Sequence, residues 1–491
     1  MFASVTSVAL VGVEPRPVRV EAHVGYQADR NPFLVVGLPD TAVREAKERV
    51  RSALTSSGYR FPSNRLTVNL APADLPKGGS AYDLPIALGL LAAAEMIPPA
   101  AARVVALGEL ALDGKVRPVR GGLGAALVAR RFGLPCLLPD ASMPEAALAD
   151  ADVRGVQTLA HAVAVARGLD PGTPMPPVAE PDRSGLTDLS VVRGHAVVRR
   201  ALEVAAAGGH HLLMTGPPGS GKTLLARCLP GILPSLDGPE ALEVAQAWAA
   251  AGRPAPPADE PPFRSPHHSA TPAAILGGGS GVPVPGELTL AHRGVLFLDE
   301  LGEFPPHLLD MLRQPVEEGR VHIARKGASV TFPCSVQLVA ATNPCPCGYD
   351  GDRLVSCECS GAARGRYRRR LSGPLLDRFD MRIVVPRVDT DDLLRPPGEP
   401  SAPVRARVEA ARRAQRRRGA LNRDLGREAL DAMEWAPAAT DRLRGAIDSS
   451  KLTARGWDRV RRVACTIADL AGSSAVEEPH AAEALAYRER P

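Results

Sequence analysis

The sequence is poor in aromatic residues, with 9 Phe, 6 Tyr and 3 Trp making up 4% of 491 residues. Any nucleic-acid partner would therefore be held mainly through its phosphates, with little base stacking. Long hydrophobic runs are also missing. The longest apolar stretch, residues 84–97, is interrupted by Glu95 and falls short of the roughly 20 residues needed to cross a bilayer, so neither a membrane span nor a membrane partner is expected. The opening MFASVTSVALVGVEP has no basic stretch ahead of its apolar residues, unlike a secretory signal, and a cytoplasmic location is the expectation. An excess of one charge is nearly absent, since 59 Lys and Arg against 54 Asp and Glu leave +5. Net charge alone is thus a weak pointer to nucleic acid, but basic residues do concentrate at 364–370 and 412–418. Eight cysteines in so long a chain favour reduced thiols or a metal site over a disulfide framework.

The length suggests about three folding units, and 45% hydrophobic residues supply ample core. Residues 1–170 alternate β runs, such as 18–24, with Ala-rich helical stretches, such as 41–56, and are expected to form an α/β unit. PGTPMPPVAEPDRSG at 171–185 reads as a linker. A second unit is expected at 186–390, where a strand at 211–215 leads into a Gly-rich loop and a helix from Thr223 that stops at Pro230. A second linker at 391–404 contains RPPGEPSAP, and 405–491 has helical spacing without strand signals, predicting an all-helical lid. There is no internal repeat.

Gly216, Pro217, Pro218, Gly219, Ser220, Gly221, Lys222 and Thr223 fit G-x-x-x-x-G-K-[ST] at every position. The glycines let backbone N–H groups turn inward around phosphates, and the following helix presents its positive end to them. Lys222 would neutralise the β and γ phosphates of ATP, and the Thr223 hydroxyl would ligate Mg²⁺, a hard cation that prefers oxygen. Further on, VLFLDE is a buried-strand pattern ending in two acids. Asp299 would hold the Mg²⁺ shell, and Glu300 would orient or deprotonate the attacking water. A second apolar strand at 336–341 leads to Asn343, placed to contact the γ-phosphate or that water.

GPPGSGKT, VLFLDE, VAATNPCPCG and GPLLDRFDMRI, in this order, resemble the AAA+ core of the Mg-chelatase-like ATPases, and among them the ComM-type (YifB-like) branch. The resemblance covers nearly the whole chain and implies a P-loop AAA+ core with a parallel sheet. It makes Asn343 similar to the sensor-1 residue, Arg378 to the arginine finger that reaches a neighbouring subunit's γ-phosphate, and Arg455 to the sensor-2 arginine of the lid. A finger in trans contributes about 10³ to 10⁵ in rate, so hydrolysis would require a ring, and the resemblance implies a homo-hexameric one. Family members carry Val-x-Gly-Gln before the phosphate loop where this chain has Val192-Arg193-Gly194-His195, so adenine-side packing is expected to differ, and His195 is left out of the site.

The N-terminal unit resembles the Lon protease (ribosomal S5 domain 2-like) domain in Pro76-Lys77-Gly78-Gly79-Ser80-Ala81, in the stretch from Gly108 to Lys115 and in Gly121-Gly122-Leu123. A Ser–Lys protease needs a lysine to activate its serine. Small apolar residues occupy the family's lysine positions here, so the unit is expected to be catalytically inactive, with Ser80 a turn residue.

Residues 321–332 read as a hairpin turning at Arg325-Lys326-Gly327. By resemblance to helicases of this clade it points into the ring's pore. Arg325 and Lys326 there either contact DNA phosphates or form a solvated basic turn. An insert at 273–290 resembles a helix-2 insert. Cys345, Cys347, Cys357 and Cys359 form two Cys-x-Cys pairs, either a structural Zn²⁺ site or four reduced thiols. The function the resemblance implies is that of an ATP-dependent hexameric DNA motor or helicase. It would act on single-stranded or branched DNA and promote branch migration in recombination of transforming DNA. The alternative is the ATPase subunit of a Mg chelatase, or another protein-remodelling ATPase. Chelatase ATPase subunits generally lack a Lon-like unit, which favours the first reading. Intact Lys222, Asp299 and Glu300 argue against a third, a non-catalytic scaffold.

Overall fold

The computed structural model describes every residue except 28–32, 38, 39, 76, 177–182, 184, 280–282, 326, 327, 371, 372, 450, 451, 453 and 489–491. Alternating hydrophobicity near the start of the chain writes long strands. Phe2–Val11 and Glu14–Gln27 pair antiparallel around a turn where Gly12 has φ +64°. Along Asn64–Ala71 every second side chain, Leu66, Val68 and Leu70, is buried, as expected of a strand with one face on the core. The mixed seven-stranded sheet runs in the order Phe33–Val36, Asn64–Ala71, Glu14–Gln27, Phe2–Val11, Val105–Ala106, Cys136–Pro139, Val153–Val156. Helix Thr41–Ser56 begins where the Asp40 carboxylate accepts the Val43 N–H at 2.8 Å, a side-chain cap for an otherwise unpaired donor. The apolar run noted in the sequence becomes helix Asp83–Ala93, buried at every position. It is apolar all round because it lies inside a core. Among the described residues no helix is long and apolar enough to cross a membrane.

The second sheet has five parallel strands in the order Phe263–Arg264, Val295–Leu298, Gln337–Thr342, Leu212–Thr215, Met381–Val384. Val295–Leu298 and Gln337–Thr342 are buried throughout, which is why they read as unbroken apolar runs rather than alternating ones. Helices Ala196–Gly208 and Lys222–Ile232 pack with the C-terminal helices Ser401–Arg417 and Ala454–Ala471 into one hydrophobic core that includes Leu202, Leu229, Val408 and Val463. From Ser401 onward the regular elements are helices, among them Pro437–Asp448 and Glu478–Ala486.

Two prolines depart from the expectation. Helix Lys222–Ile232 was expected to stop at Pro230 but contains it. Pro230 sits in the last turn, so little of the ladder remains to be broken, and Leu233 still donates to the Leu229 carbonyl at 3.1 Å. Pro403 falls in the first turn of Ser401–Arg417, where the missing N–H had no helical partner to lose. The expected hairpin is present as Arg320–Arg325 paired with Ala328–Pro333. Its Val330 lies so close to Gly12 that a Cβ added there would come within 2.4 Å, and Val13 packs on the cluster holding Val321, Val330 and Phe332. The turn between the first two strands therefore seats on this hairpin.

Two histidines at the amino edge of the parallel sheet are held neutral. His211 Nδ1 accepts the Leu338 N–H at 3.0 Å, joining two strands, and desolvation lowers its pKa to about 3. His292 is buried, with Nδ1 accepting the Ser335 N–H at 3.0 Å and Nε2 3.1 Å from Glu243, and burial lowers it to about 4. A folded-state pKa below the unfolded value means that stability is full above pH ~6.5 and lost as pH falls toward about 3 to 4, by up to about 1.4 kcal/mol per pH unit per ring. Urea unfolding at pH 7 and pH 5 is expected to show a drop of about 2 kcal/mol or more, reduced in His292→Gln. A drop as large in His292→Gln as in the wild-type chain would mean that the His292 ring protonates in the folded state as readily as free histidine.

Candidate functional site

The parallel register pairs Thr215 with Thr342 and Leu298 with Ala340. The loop after Leu212–Thr215, Asn343, and the acids after Val295–Leu298 thus emerge side by side at the carboxyl edge of the sheet, where open α/β sheets bind ligands. The phosphate loop is shaped by its glycines. A Cβ on Gly216 would lie 2.2 Å from the Val385 carbonyl oxygen, and Gly219 and Gly221 have φ of +75° and +87°, which L side chains seldom adopt. Helix Lys222–Ile232 then starts with its free N–H groups at the loop.

Lys222 Nζ donates to the Gly216 and Pro217 carbonyls at 2.8 Å each and lies 3.4 Å from both Ser220 Oγ and Asn343 Oδ1. Burial lowers its pKa, opposed by the nearby Asp299 and Glu300 carboxylates. The Thr223 hydroxyl donates to Asp299 Oδ2 at 2.7 Å. Adjacent ligands of an octahedral Mg²⁺ are separated by about 3 Å, given its ~2.1 Å bonds, so these two oxygens suit neighbouring positions around such an ion. Asp299 Oδ1 also accepts the Glu300 N–H at 2.9 Å. Glu300 is exposed and held at φ +52°, an uncommon backbone for a non-glycine residue.

Lys222, Thr223, Asp299, Glu300 and Asn343 are therefore brought together. The remaining expected residues stand elsewhere. Arg378 pairs with Glu317 of helix Pro306–Glu318, and its described contacts include no residue of the phosphate loop. Arg455 belongs to helix Ala454–Ala471, but its side chain lies outside the described set. Arg325 is exposed at the tip end of the hairpin, and Lys326 falls outside the described residues. The ligand atoms of Cys345, Cys347, Cys357 and Cys359 lie within 4.8 Å of one another.

Sequence reading missed several neighbours of the site. His268 Nδ1 lies 3.4 Å from Glu300 Oε2, its ring edge-on to Phe304; the only signal was a His-His pair far upstream. Tyr367 is buried with its hydroxyl 3.2 Å from Thr342 Oγ1, and a Cβ on Gly302 would meet that hydroxyl at 2.5 Å. Gly348 has φ +87°, and a Cβ there would come within 2.5 Å of Pro218 Cδ. His195, set aside from sequence, also lies at the loop. Burial lowers its pKa while the Ser220 backbone hydrogen-bonds to it, and Nε2 is buried without a partner among the described residues.

Three family models match successive parts of the chain. "Subunit ChlI of Mg-chelatase" matches residues 20–141, "Magnesium chelatase, subunit ChlI" matches 188–393, and "Magnesium chelatase, subunit ChlI C-terminal" matches 398–488. Similarity to curated proteins runs almost end to end. An uncharacterized protein of Mycobacterium tuberculosis is 42% identical over 98% of this chain and 98% of its own length. The uncharacterized protein YifB of Escherichia coli is 42% identical over 98% and 96%, and the competence protein ComM of Haemophilus influenzae is 40% identical over 99% and 97%.

The contact between Gly348 and Pro218 gives the site a simple test. Gly348→Ala forces both a left-handed alanine, costing roughly 1–2 kcal/mol, and a displacement of the phosphate loop. It is expected to weaken binding of a fluorescent ATP analogue several-fold and to lower the melting temperature by a few degrees. Unchanged affinity would show that the loop after Asn343 does not shape the phosphate loop.

Proposed function

Because the chain belongs to the ComM and YifB family of Mg-chelatase-like AAA+ proteins, we propose that it is an ATP-driven DNA motor working as a homo-hexameric ring. Its role in this reading is branch migration in recombination of incoming DNA. The observation that carries the ATPase part is the contact of Thr223 with Asp299 directly below the Lys222 loop. It gathers a cation site and a phosphate site at one sheet edge. Bound ATP would place its β and γ phosphates against the loop N–H groups and Lys222, with Mg²⁺ held by Thr223 and Asp299 and supplying charge neutralisation. Glu300 orients the attacking water, and Asn343, next to Lys222, fixes the γ-phosphate side. Arg378 completes the site of the neighbouring subunit and leaves Glu317 to do so. Arg455 acts from the lid on its own subunit's nucleotide. Residues 1–170 serve ring assembly or binding rather than proteolysis, in keeping with Ser80 hydrogen-bonded to Glu109 and with the Lys77 ammonium buried on the Pro72 carbonyl.

The DNA part rests on likeness along the full chain to a competence protein and on the placement of basic side chains. Arg325 is exposed on the hairpin, and Arg366, Arg369 and Arg370 are exposed on helix Gly361–Arg370. Arg364 and Arg368 on that helix are committed to Asp350. A chelatase ATPase subunit is the second reading, favoured by the three family descriptions. The N-terminal unit does not count against it as the sequence suggested, since residues 20–141 match a model described as a chelatase subunit.

The deciding measurement is ATP hydrolysis with and without forked or three-stranded DNA at two salt concentrations. Stimulation by DNA that weakens at higher salt is expected of a motor tracking phosphates. Glu300→Gln is expected to bind ATP with near-normal affinity and to lose turnover by about 10² or more. Arg378→Ala should lose about 10³ while nucleotide affinity changes only a few-fold. Turnover indifferent to every DNA tested, in a protein shown to form a ring, moves the assignment to the chelatase or another protein-remodelling role.

A further inference from the structure

We propose that Cys345, Cys347, Cys357 and Cys359 bind one Zn²⁺ ion, and that this ion fixes the wall of the nucleotide site formed by Asn343, Gly348 and Tyr367. The second half rests on reading that site as one for ATP. The first does not.

The sulfur geometry is that of a single tetrahedral ion. Zn–S bonds of about 2.3 Å place the sulfurs of a tetrahedron about 3.8 Å apart. Cys345 Sγ lies 3.3 Å from Cys347 Sγ and 3.6 Å from Cys357 Sγ, Cys347 Sγ lies 3.6 Å from Cys357 Sγ, and the four are mutually within 4.8 Å. Disulfides are excluded, because bonded sulfurs sit about 2.05 Å apart and all four cysteines are free. A multi-iron cluster is excluded as well, since its thiolates bind different metal atoms and stand further from one another. The Cys347 N–H points at Cys359 Sγ at 3.4 Å, the outer-shell donation that stabilises metal-bound thiolate.

A loop of this kind needs such a clip. Between strand Gln337–Thr342 and helix Gly361–Arg370 the chain forms no helix or strand, and its large apolar side chains Leu354 and Val355 are exposed, Leu354 by 76%. Hydrophobic burial of these side chains therefore does not order it, and long irregular loops in compact folds are either tied down or disordered. Here the loop is drawn together at four thiols whose sulfurs lie within 4.8 Å of one another.

What the clip holds is the nucleotide site. Asn343, hydrogen-bonded toward Lys222, precedes Cys345 by two residues. Gly348, one residue beyond Cys347, presses on Pro218. Asp350 then binds Arg364 at 2.9 Å and Arg368 at 3.3 Å, attaching helix Gly361–Arg370, whose Tyr367 wedges between Thr342 and Gly302. The same helix carries the exposed Arg366, Arg369 and Arg370, so the ion sits between the phosphate loop and a strongly basic helix.

The test begins with the full-length wild-type protein. Elemental analysis is expected to find about one zinc per chain and less than about a tenth of that of iron. Titration of the native protein's thiols with a mercurial, read by a zinc-responsive dye, should release zinc in step with four fast thiols. Cys357→Ser/Cys359→Ser is expected to hold less than a tenth of the zinc and to raise amide hydrogen exchange at 343–349. Its ATP turnover should fall at least tenfold while affinity for a fluorescent ADP analogue stays within about threefold. If that variant does not fold, the exchange measurement is made on mercurial-stripped, re-reduced wild type. Wild-type protein that binds nucleotide but carries no zinc, or carries iron instead, overturns the proposal. Zinc loss that leaves exchange at 343–349 unchanged overturns the positioning role. Stoichiometric zinc in a protein that does not hydrolyse ATP supports the metal site and counts against the ATPase reading alone.

Discussion

Strand Gln337–Thr342 is hydrogen-bonded along both edges and buried on both faces, and the arrangement of the candidate site depends on where it stops. Its neighbours Leu212–Thr215 and Val295–Leu298 carry the phosphate loop and Asp299. A slip of one residue would exchange its two faces and carry Asn343 away from Lys222. Polar contacts at the amino end prevent this. The Gln337 side chain donates to the Ala205 and His210 carbonyls at 3.0 Å each, His211 accepts from Leu338, and Arg423 donates to the Val336 carbonyl at 2.8 Å. These bonds are short-range and directional, unlike the apolar packing around them, and they set the register that the chemistry at the other end requires.

The same edge joins the helical C-terminal region to the sheet. Asp380 is buried, which by itself would raise its pKa, but His210 and Arg459 hold it well below the ordinary carboxylate range. Its Oδ2 accepts the His211 N–H at 3.2 Å, so a residue of helix Ala454–Ala471, a residue before the first strand and a residue before the last meet at one carboxylate. Arg412 and Arg423 cover the carbonyls of Ala206 and Gly209 at the end of helix Ala196–Gly208, groups that a helix leaves unpaired. Charge-assisted bonds of this kind are costly to break singly, because the partner is left buried and unpaired. The carboxyl edge is looser, with Glu300 exposed.

Much of the ATPase unit was legible because its signals are local. The glycine positions of 216–221, the unbroken apolar strands and the acids that follow them each arise from constraints on a few neighbouring residues. The helix at 41–56 and the hairpin at 320–333 were readable for the same reason. Pro230 and Pro403 misled because the effect of a proline depends on where in a helix it falls, which only hydrogen bonding to distant turns decides. His268, Tyr367 and Gly348 carried no usable signal. A histidine, a buried tyrosine and a loop glycine are ordinary until the chain brings them beside Glu300, Thr342 and Pro218.

By itself, then, the sequence determined the local patterns, a glycine-rich loop of phosphate-loop type, paired acids at a strand end and four cysteines in two closely spaced pairs, since each is a pattern of side chains within one or two turns of chain. Tertiary structure alone decided which of them share a site. The Thr223 hydroxyl and the Asp299 carboxylate are 76 residues apart in the chain and 2.7 Å apart in space, and the cysteine loop abuts the phosphate loop through Gly348 and Pro218. Such distances depend on sheet order and register, which are fixed by the sum of many long-range contacts and not by any one segment.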